Sequence, residues 1–209
     1  MNVDLRAGER VMKIKRLIVG EMECNGYIIY KREGGCCYIV DPGSNPDKFV
    51  KVMKECKLNL LGILLTHHHY DHIGGVKKIR ELKECPVYLH RGDADMYKDE
   101  VDIMLEGGDT IRLDDEIVKV VHTTGHTEGS VCYFYENGKT AFTGDTIFNV
   151  DLGRTDLKGG DPRKQEETIR NIINLWDNEV MIYPGHGDPC NMKFVRKMNR
   201  EFLDIIESV

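Results

Sequence analysis

The sequence predicts an α/β (α+β) protein built from two packed β-sheets with helices laid over them. Three observations carry that expectation. Short β-rich runs alternate with amphipathic segments along the whole chain. The histidines and aspartates that suggest chemistry each follow a predicted strand, so strand ends would gather them on one rigid edge. The 209 residues suit one domain with a sizeable core, and no repeat, low-complexity stretch or linker interrupts residues 1–209.

In chain order, "VMKIKRLIV" alternates in part, "GYIIYK" is strand-like and "CCYIVDPGS" ends in a turn signal. "NPDKFVKVMKEC" places Pro46 near a helix start and spaces Phe49, Val52, Met53 and Cys56 helically. "LLGILLT" is an apolar run short enough to be a buried strand. Val76, Ile79 and Leu82 then share a helical face, "CPVYLH" is a strand, and a helix is expected around "DADMYK". "DTIRL" and "IVKVVHTT" read as strands around a "DDE" turn. "VCYFYENGKTAFTGD" is the clearest hairpin, with Asn137-Gly138 at its turn. "KQEETIRNIINLW" is an amphipathic helix and "EVMIYPGHG" a strand entering a glycine-rich loop. Phe194, Val195, Met198, Phe202 and Ile206 mark one closing helix. Residues 1–11 read as a loose N-terminal tail.

Bulk properties narrow the function classes. A net charge of −6 disfavours a nucleic-acid partner. No apolar run approaches membrane-spanning length, and "MNVDLRAGER" lacks the apolar core of a secretory signal. Seven scattered cysteines, with no CxxC, fit a reduced cytoplasmic location and structural roles.

The stretch "HHHYDH", residues 67–72, crowds four histidines and an aspartate behind a buried strand. Half-buried imidazoles beside carboxylates need partners, and a metal ion can hold them together. On an extended chain His67 and His69 point to one side. A turn must then bring Asp71 and His72 round, and Gly74-Gly75 permit close backbone approach there. His126 in "TTGHTEGS", Asp145 in "TGDT" and His186 in "YPGHGD" complete the set. Five histidines and two aspartates exceed the needs of one four-coordinate ion but suffice for two ions sharing a carboxylate. The expectation is two divalent metal ions per chain, zinc first, with iron or manganese also compatible. His68, His90 and His122 read instead as hydrogen-bonded structural residues.

The ordered set "THHHYDHIGG", "GHTEGS", "GDT" and "GHG" resembles the metallo-β-lactamase superfamily, and within it the glyoxalase II-like hydrolases. The resemblance spans nearly the whole chain and implies a four-layer αββα sandwich of two mixed sheets. It also implies a first metal on His67, His69 and His126, a second on Asp71, His72 and His186, and Asp145 bridging them. Asp41 in "IVDPGS" would support the site from behind, and Arg154 in "LGRTD" would bind a substrate carboxylate. Such a centre lowers the pKa of a bridging water, so that hydroxide attacks a small thioester or ester, with Asp71 orienting it or taking its proton.

Departures from the family pattern limit the substrate. Only a short stretch follows His186, so the C-terminal helical domain that helps full-length relatives bind glutathione is not expected here, and Gly187-Asp188 stands where the family has a glutathione-binding tyrosine. β-Lactam-cleaving members commonly have cysteine at the position of Asp145. The alternative within the superfamily is a persulfide dioxygenase with one iron on His67, His126 and Asp145. A non-catalytic metal-binding module is a third reading. The oligomeric state is not expressed in the sequence.

Overall fold

The computed structural model describes residues 12–137 and 139–208. The expected tail over residues 1–11 and the Gly138 half of the hairpin turn lie outside the described residues. Two six-stranded sheets face each other. The first contains β1 (Lys13–Val19), β2 (Cys24–Tyr30), β3 (Cys36–Val40), β4 (Asn59–Leu64), β5 (Val87–His90) and β6 (Ile103–Leu105), in that order. The second contains β7 (Thr110–Leu113), β8 (Glu116–His122), β9 (Val131–Tyr135), β10 (Thr140–Gly144), β11 (Met181–Pro184) and β12 (Cys190–Asn191). Each sheet mixes directions, with β3–β6 parallel in the first and β10–β11 parallel in the second.

Alternation along the strands makes the layers. Tyr27, Ile29, Tyr38 and Val40 point between the sheets, where they meet Val118, Val120, Tyr133 and Phe142. Their neighbours Ile28, Tyr30, Cys37 and Ile39 point outward, under α1 (Pro46–Glu55) and α3 (Val76–Leu82), whose Phe49, Met53 and Ile79 complete that layer. On the far side Cys132, Ala141 and Ile182 pack beneath α5 (Pro162–Asn171), α6 (Met192–Met198) and α7 (Arg200–Glu207). A side-chain period of two, buried on both faces, produces the four-layer αββα sandwich. No helix among the described residues is long and apolar enough to cross a membrane. All seven cysteines are free.

Four local expectations need correction. The turn after His69 is a one-turn helix, α2 (Tyr70–Ile73). The helix expected around "DADMYK" is a single turn shifted earlier, α4 (Arg91–Ala94), because the buried Asp93 carboxylate is engaged by distant loops. The short strands β6 and β12 were too brief for a period to show. The closing helix is two helices, broken at Asn199.

Asn199 explains its own break. The side chain is fully buried and accepts from the Phe202 N–H at 2.9 Å, capping α7. Its amide donates to Phe148 O at 3.2 Å and Asp151 O at 2.7 Å. Those bonds pin the loop that forms one wall of the cavity described below. We expect Asn199→Ala to lower stability by about 1–3 kcal/mol, combining a lost cap with two orphaned carbonyls. Urea unfolding checks the value, and the melting temperature should fall by roughly 2–4 °C per kcal/mol.

Candidate metal centre

Loops leaving β4, β8, β10 and β11 converge on one edge of the sandwich and deliver all seven ligand candidates there. His67, His69 and His126 form one group whose ligand atoms lie within 4.8 Å of one another, and Asp71, His72 and His186 form another. Asp145 stands between the groups. Its carboxylate oxygens lie 3.2 Å from His72 Nε2, 3.6 Å from His126 Nε2 and 3.6 Å from His186 Nε2. The Nε2 atoms of His67 and His126 are 3.3 Å apart. Two glycines make this crowding possible. A Cβ on Gly185 would sit 2.1 Å from Asp145 Oδ1, and one on Gly75 would sit 2.5 Å from Pro42 O.

The imidazoles are held from behind. His126 Nδ1 donates to Arg154 O at 2.7 Å, and His186 Nδ1 donates to Met22 O at 3.1 Å. His72 Nδ1 donates to Asp41 Oδ2 at 2.9 Å. The Thr66 hydroxyl donates to the same carboxylate at 2.6 Å, leaving its oxygen to accept from His67 Nδ1 at 3.0 Å. Asp41 also accepts from the Thr66 N–H at 2.8 Å. Placing the proton on Nδ1 turns each Nε2 lone pair towards the centre, the arrangement that ligating imidazoles need. Asp41, His67 and His72 also lie close enough to form a third possible donor group. Because Asp41 Oδ2 already accepts two hydrogen bonds, its geometry is that of a support for His67 and His72.

Electrostatics divide the two groups. Burial, with the neighbouring imidazoles, drives His67 well below the ordinary histidine value and His69 down to about 4. Burial also lowers His126. For His72 burial pulls the same way, but Cys24, Asp145 and Asp41 overcome it and hold the ring well above the usual value. Burial likewise opposes a charged His186, and Asp71 and Asp145 raise it nonetheless. Asp145 itself, raised by burial, is pulled down to about 2 by His72, His126 and His186.

This donor set fits divalent cations. His72 Nε2 and Asp145 Oδ1 are buried and, despite their 3.2 Å separation, lack the alignment of a hydrogen bond. Bare imidazole nitrogens around carboxylates suit zinc, iron or manganese. The centre forms the floor of a cavity of about 820 Å³ that also reaches Phe148, Val150, Leu157 and Arg154. Asp71 lies on that floor, 3.0 Å from His186 Nε2 through Oδ2.

Arg154 lines the cavity, but its guanidinium is paired with both oxygens of Asp156, at 2.6 and 2.7 Å. Its contact with the centre is the main-chain carbonyl that orients His126. His68, His90 and His122 lie outside the cluster. His68 reaches Asp93, His90 accepts from Gly92 N–H, and His122 bonds Glu128 O.

Two supporting networks were not visible in the sequence. Asp93, 1% exposed, accepts from His68 N–H, the Thr127 hydroxyl and Gly129 N–H, tying the "HHHYDH" loop to the "GHTEGS" loop. Asn25 donates to Pro184 O and Gly187 O, and Arg16 donates to Gly187 O and pairs with Asp188. Together they grip the turn that carries His186. The only sequence signal was a polar residue inside an otherwise apolar strand, "CNGYIIY".

Fold and site together define a metal-centred αββα protein. Residues 19–186 match the model of the metallo-beta-lactamase superfamily, and the chain belongs to that superfamily. Over 160 residues it is 34% identical to the hydroxyacylglutathione hydrolase of Pelagibacter ubique (strain HTCC1062), spanning 77% of this chain and 65% of that protein. This similarity supports a glyoxalase II-like member of the superfamily. The BLEG-1 B3 metallo-beta-lactamase superposes with a TM-score of 0.84 at 29% identity, covering 90% of this chain and 98% of that one. TTHA1623, solved in a di-iron-bound form, superposes at 0.79 with 29% identity, covering 89% and 98%.

Proposed function

We propose that the chain is a dinuclear metal-dependent hydrolase of a small thioester or related ester. One observation carries the reading: both donor groups, not one, are assembled on the floor of a single cavity, with Asp145 between them. The alternative, a mononuclear iron dioxygenase on His67, His126 and Asp145, keeps the same H-x-H-x-D-H segment, so the number of ions bound separates the two readings.

Divalent ions there would supply Lewis acidity, acidifying water and polarising a carbonyl. His67, His69 and His126 would hold one ion, Asp71, His72 and His186 the other, and Asp145 would contact both. The chain's own part is positional and acid–base. Asp71 opens to the cavity and would orient the attacking water or accept its proton. Asp41 fixes the proton of His72 on Nδ1 directly and that of His67 through Thr66.

Metal content per chain, measured on protein purified without chelators and protected from oxygen, tests this reading. Two ions with turnover of a thioester panel support it. One iron that leaves the second group empty after zinc is offered, together with oxygen uptake on glutathione persulfide, would replace it with the dioxygenase. A β-lactam belongs in the same screen, and turnover confined to it would overturn the thioester assignment.

The imidazole shifts predict unequal loss of metal in acid. The metal-free chain keeps His67 and His126 neutral below the ordinary histidine range and His69 neutral to about pH 4. His72 and His186 retain protons above that range, so an ion must displace them. Proton competition therefore strengthens first at the His72 group as pH falls. Dialysis across descending pH should show stoichiometry dropping from two to one before the remaining ion is lost.

A further inference from the structure

The cavity above the centre has an apolar wall. Phe148, Val150, Leu152 and Leu157 line it, with Met22 and Tyr70 at the mouth. Tyr70 is 81% exposed, Met22 64% and Val150 46%, so large apolar side chains converge on one opening. Scattered exposed apolar residues need no explanation, but a cluster around a functional cleft marks a contact surface.

Charge points the same way. Among the described residues lining the cavity Arg154 is the single arginine or lysine, and Asp156 occupies its guanidinium. Asp151 supplies a carboxylate instead, apart from the metal-ligand candidates Asp71 and Asp145. A second cavity of about 570 Å³ opens on the other side of Met22 and Tyr70 and shares Asp71. Its lining includes Glu21, Ser44 and Asn45 and no lysine or arginine. Away from the metal ligands, the walls offer an anionic ligand the carboxylates of Asp151 and Glu21 and no unpaired lysine or arginine.

Resting on the hydrolase reading, we propose that the substrate is a thioester or ester with an uncharged, apolar acyl chain, seated against Phe148, Val150 and Leu157. Its leaving group is uncharged near the reacting bond, which excludes glutathione and its carboxylates as the preferred thiol. The water oxygen bonds to the acyl carbon, and the carbon–sulfur bond breaks with its electron pair passing to sulfur. The products are a carboxylic acid, which ionises, and a thiol.

N-acetylcysteamine thioesters from acetyl to octanoyl, compared with S-lactoylglutathione on the metal-loaded protein, test the proposal. We expect kcat/KM to rise about two- to fourfold per methylene and S-lactoylglutathione to be the poorer substrate. Val150→Asp should collapse the octanoyl-to-acetyl ratio. Calorimetry with non-hydrolysable thioether analogues should give a binding heat capacity that grows more negative with chain length. Turnover with no chain-length gain, or a preference for the glutathione thioester, would overturn the apolar-chain proposal and leave the hydrolase reading standing. Chain-length-dependent binding without turnover of any thioester or ester would support the apolar site and sink the hydrolase reading. Neither binding nor turnover would overturn both.

Discussion

Replacing Asp145 with alanine should abolish turnover and prevent the chain from holding two ions at once. The expected loss exceeds the roughly 10–100-fold that follows removal of an outer-shell partner, because Asp145 faces both donor groups directly. Metal analysis beside steady-state kinetics distinguishes this from a folding defect, since His67, His69 and His126 remain. The same substitution has a second signature in metal-free protein. Asp145 is held down at about 2, so its ionised form favours the folded state at pH values above the ordinary carboxylate range. That contribution is lost as pH falls towards 2. The stability gap between parent and variant in urea should therefore be full near pH 6 and narrow below pH 4. A gap independent of pH would show that Asp145 acts through packing alone.

Asp41→Asn should cost about 10–100-fold in activity or in affinity for the ion on the His72 side. The change preserves shape but alters the direction of hydrogen bonding. An amide oxygen can still accept from the Thr66 N–H, but the amide nitrogen cannot accept from His72 Nδ1 and the Thr66 hydroxyl as Oδ2 now does. His72 is then driven to carry its proton on Nε2, the atom that faces Asp145. Nitrogen NMR of the metal-free variant, taken at a pH high enough for His72 to be neutral, should report that tautomer. An unchanged tautomer, with full two-ion binding, would remove Asp41 from the site's machinery.

The strands and the ligand candidates were legible in the sequence for related reasons. Burial on both faces writes continuous apolar runs such as "LLGILLT", and the site residues are placed where those runs stop. Asp41 was readable as a turn residue and as a support. Its φ of 47° makes the turn while its carboxylate reaches His72. The supports drawn from distant segments were hidden. Asp93 sits inside what a helical pattern suggests, and only the fold reveals that Gly129 and Thr127, more than thirty residues away, donate to it. Asn199 occupies a position where helical periodicity runs on uninterrupted, and its break depends on two carbonyls near residue 150. Periodicity records burial along a segment, whereas these residues answer to partners across the molecule. Arg154 shows what a sequence position leaves unsaid: it lines the cavity, and its guanidinium also pairs with Asp156 two residues along.

Each donor group draws two residues from the loop after β4, in the first sheet, and one from a loop of the second. An ion in either group would therefore act as a rivet through both halves of the sandwich. Because binding to the closed form stabilises it by mass action, occupancy and cohesion between the sheets become one equilibrium. Withdrawing the ions should loosen the seam at the cavity edge while the Tyr27–Tyr133–Phe142 centre stays shut. Amide exchange would register this as lost protection after β4 and β11, confined to one rim. The centre would thus serve as the hasp of the fold as well as its reactive point.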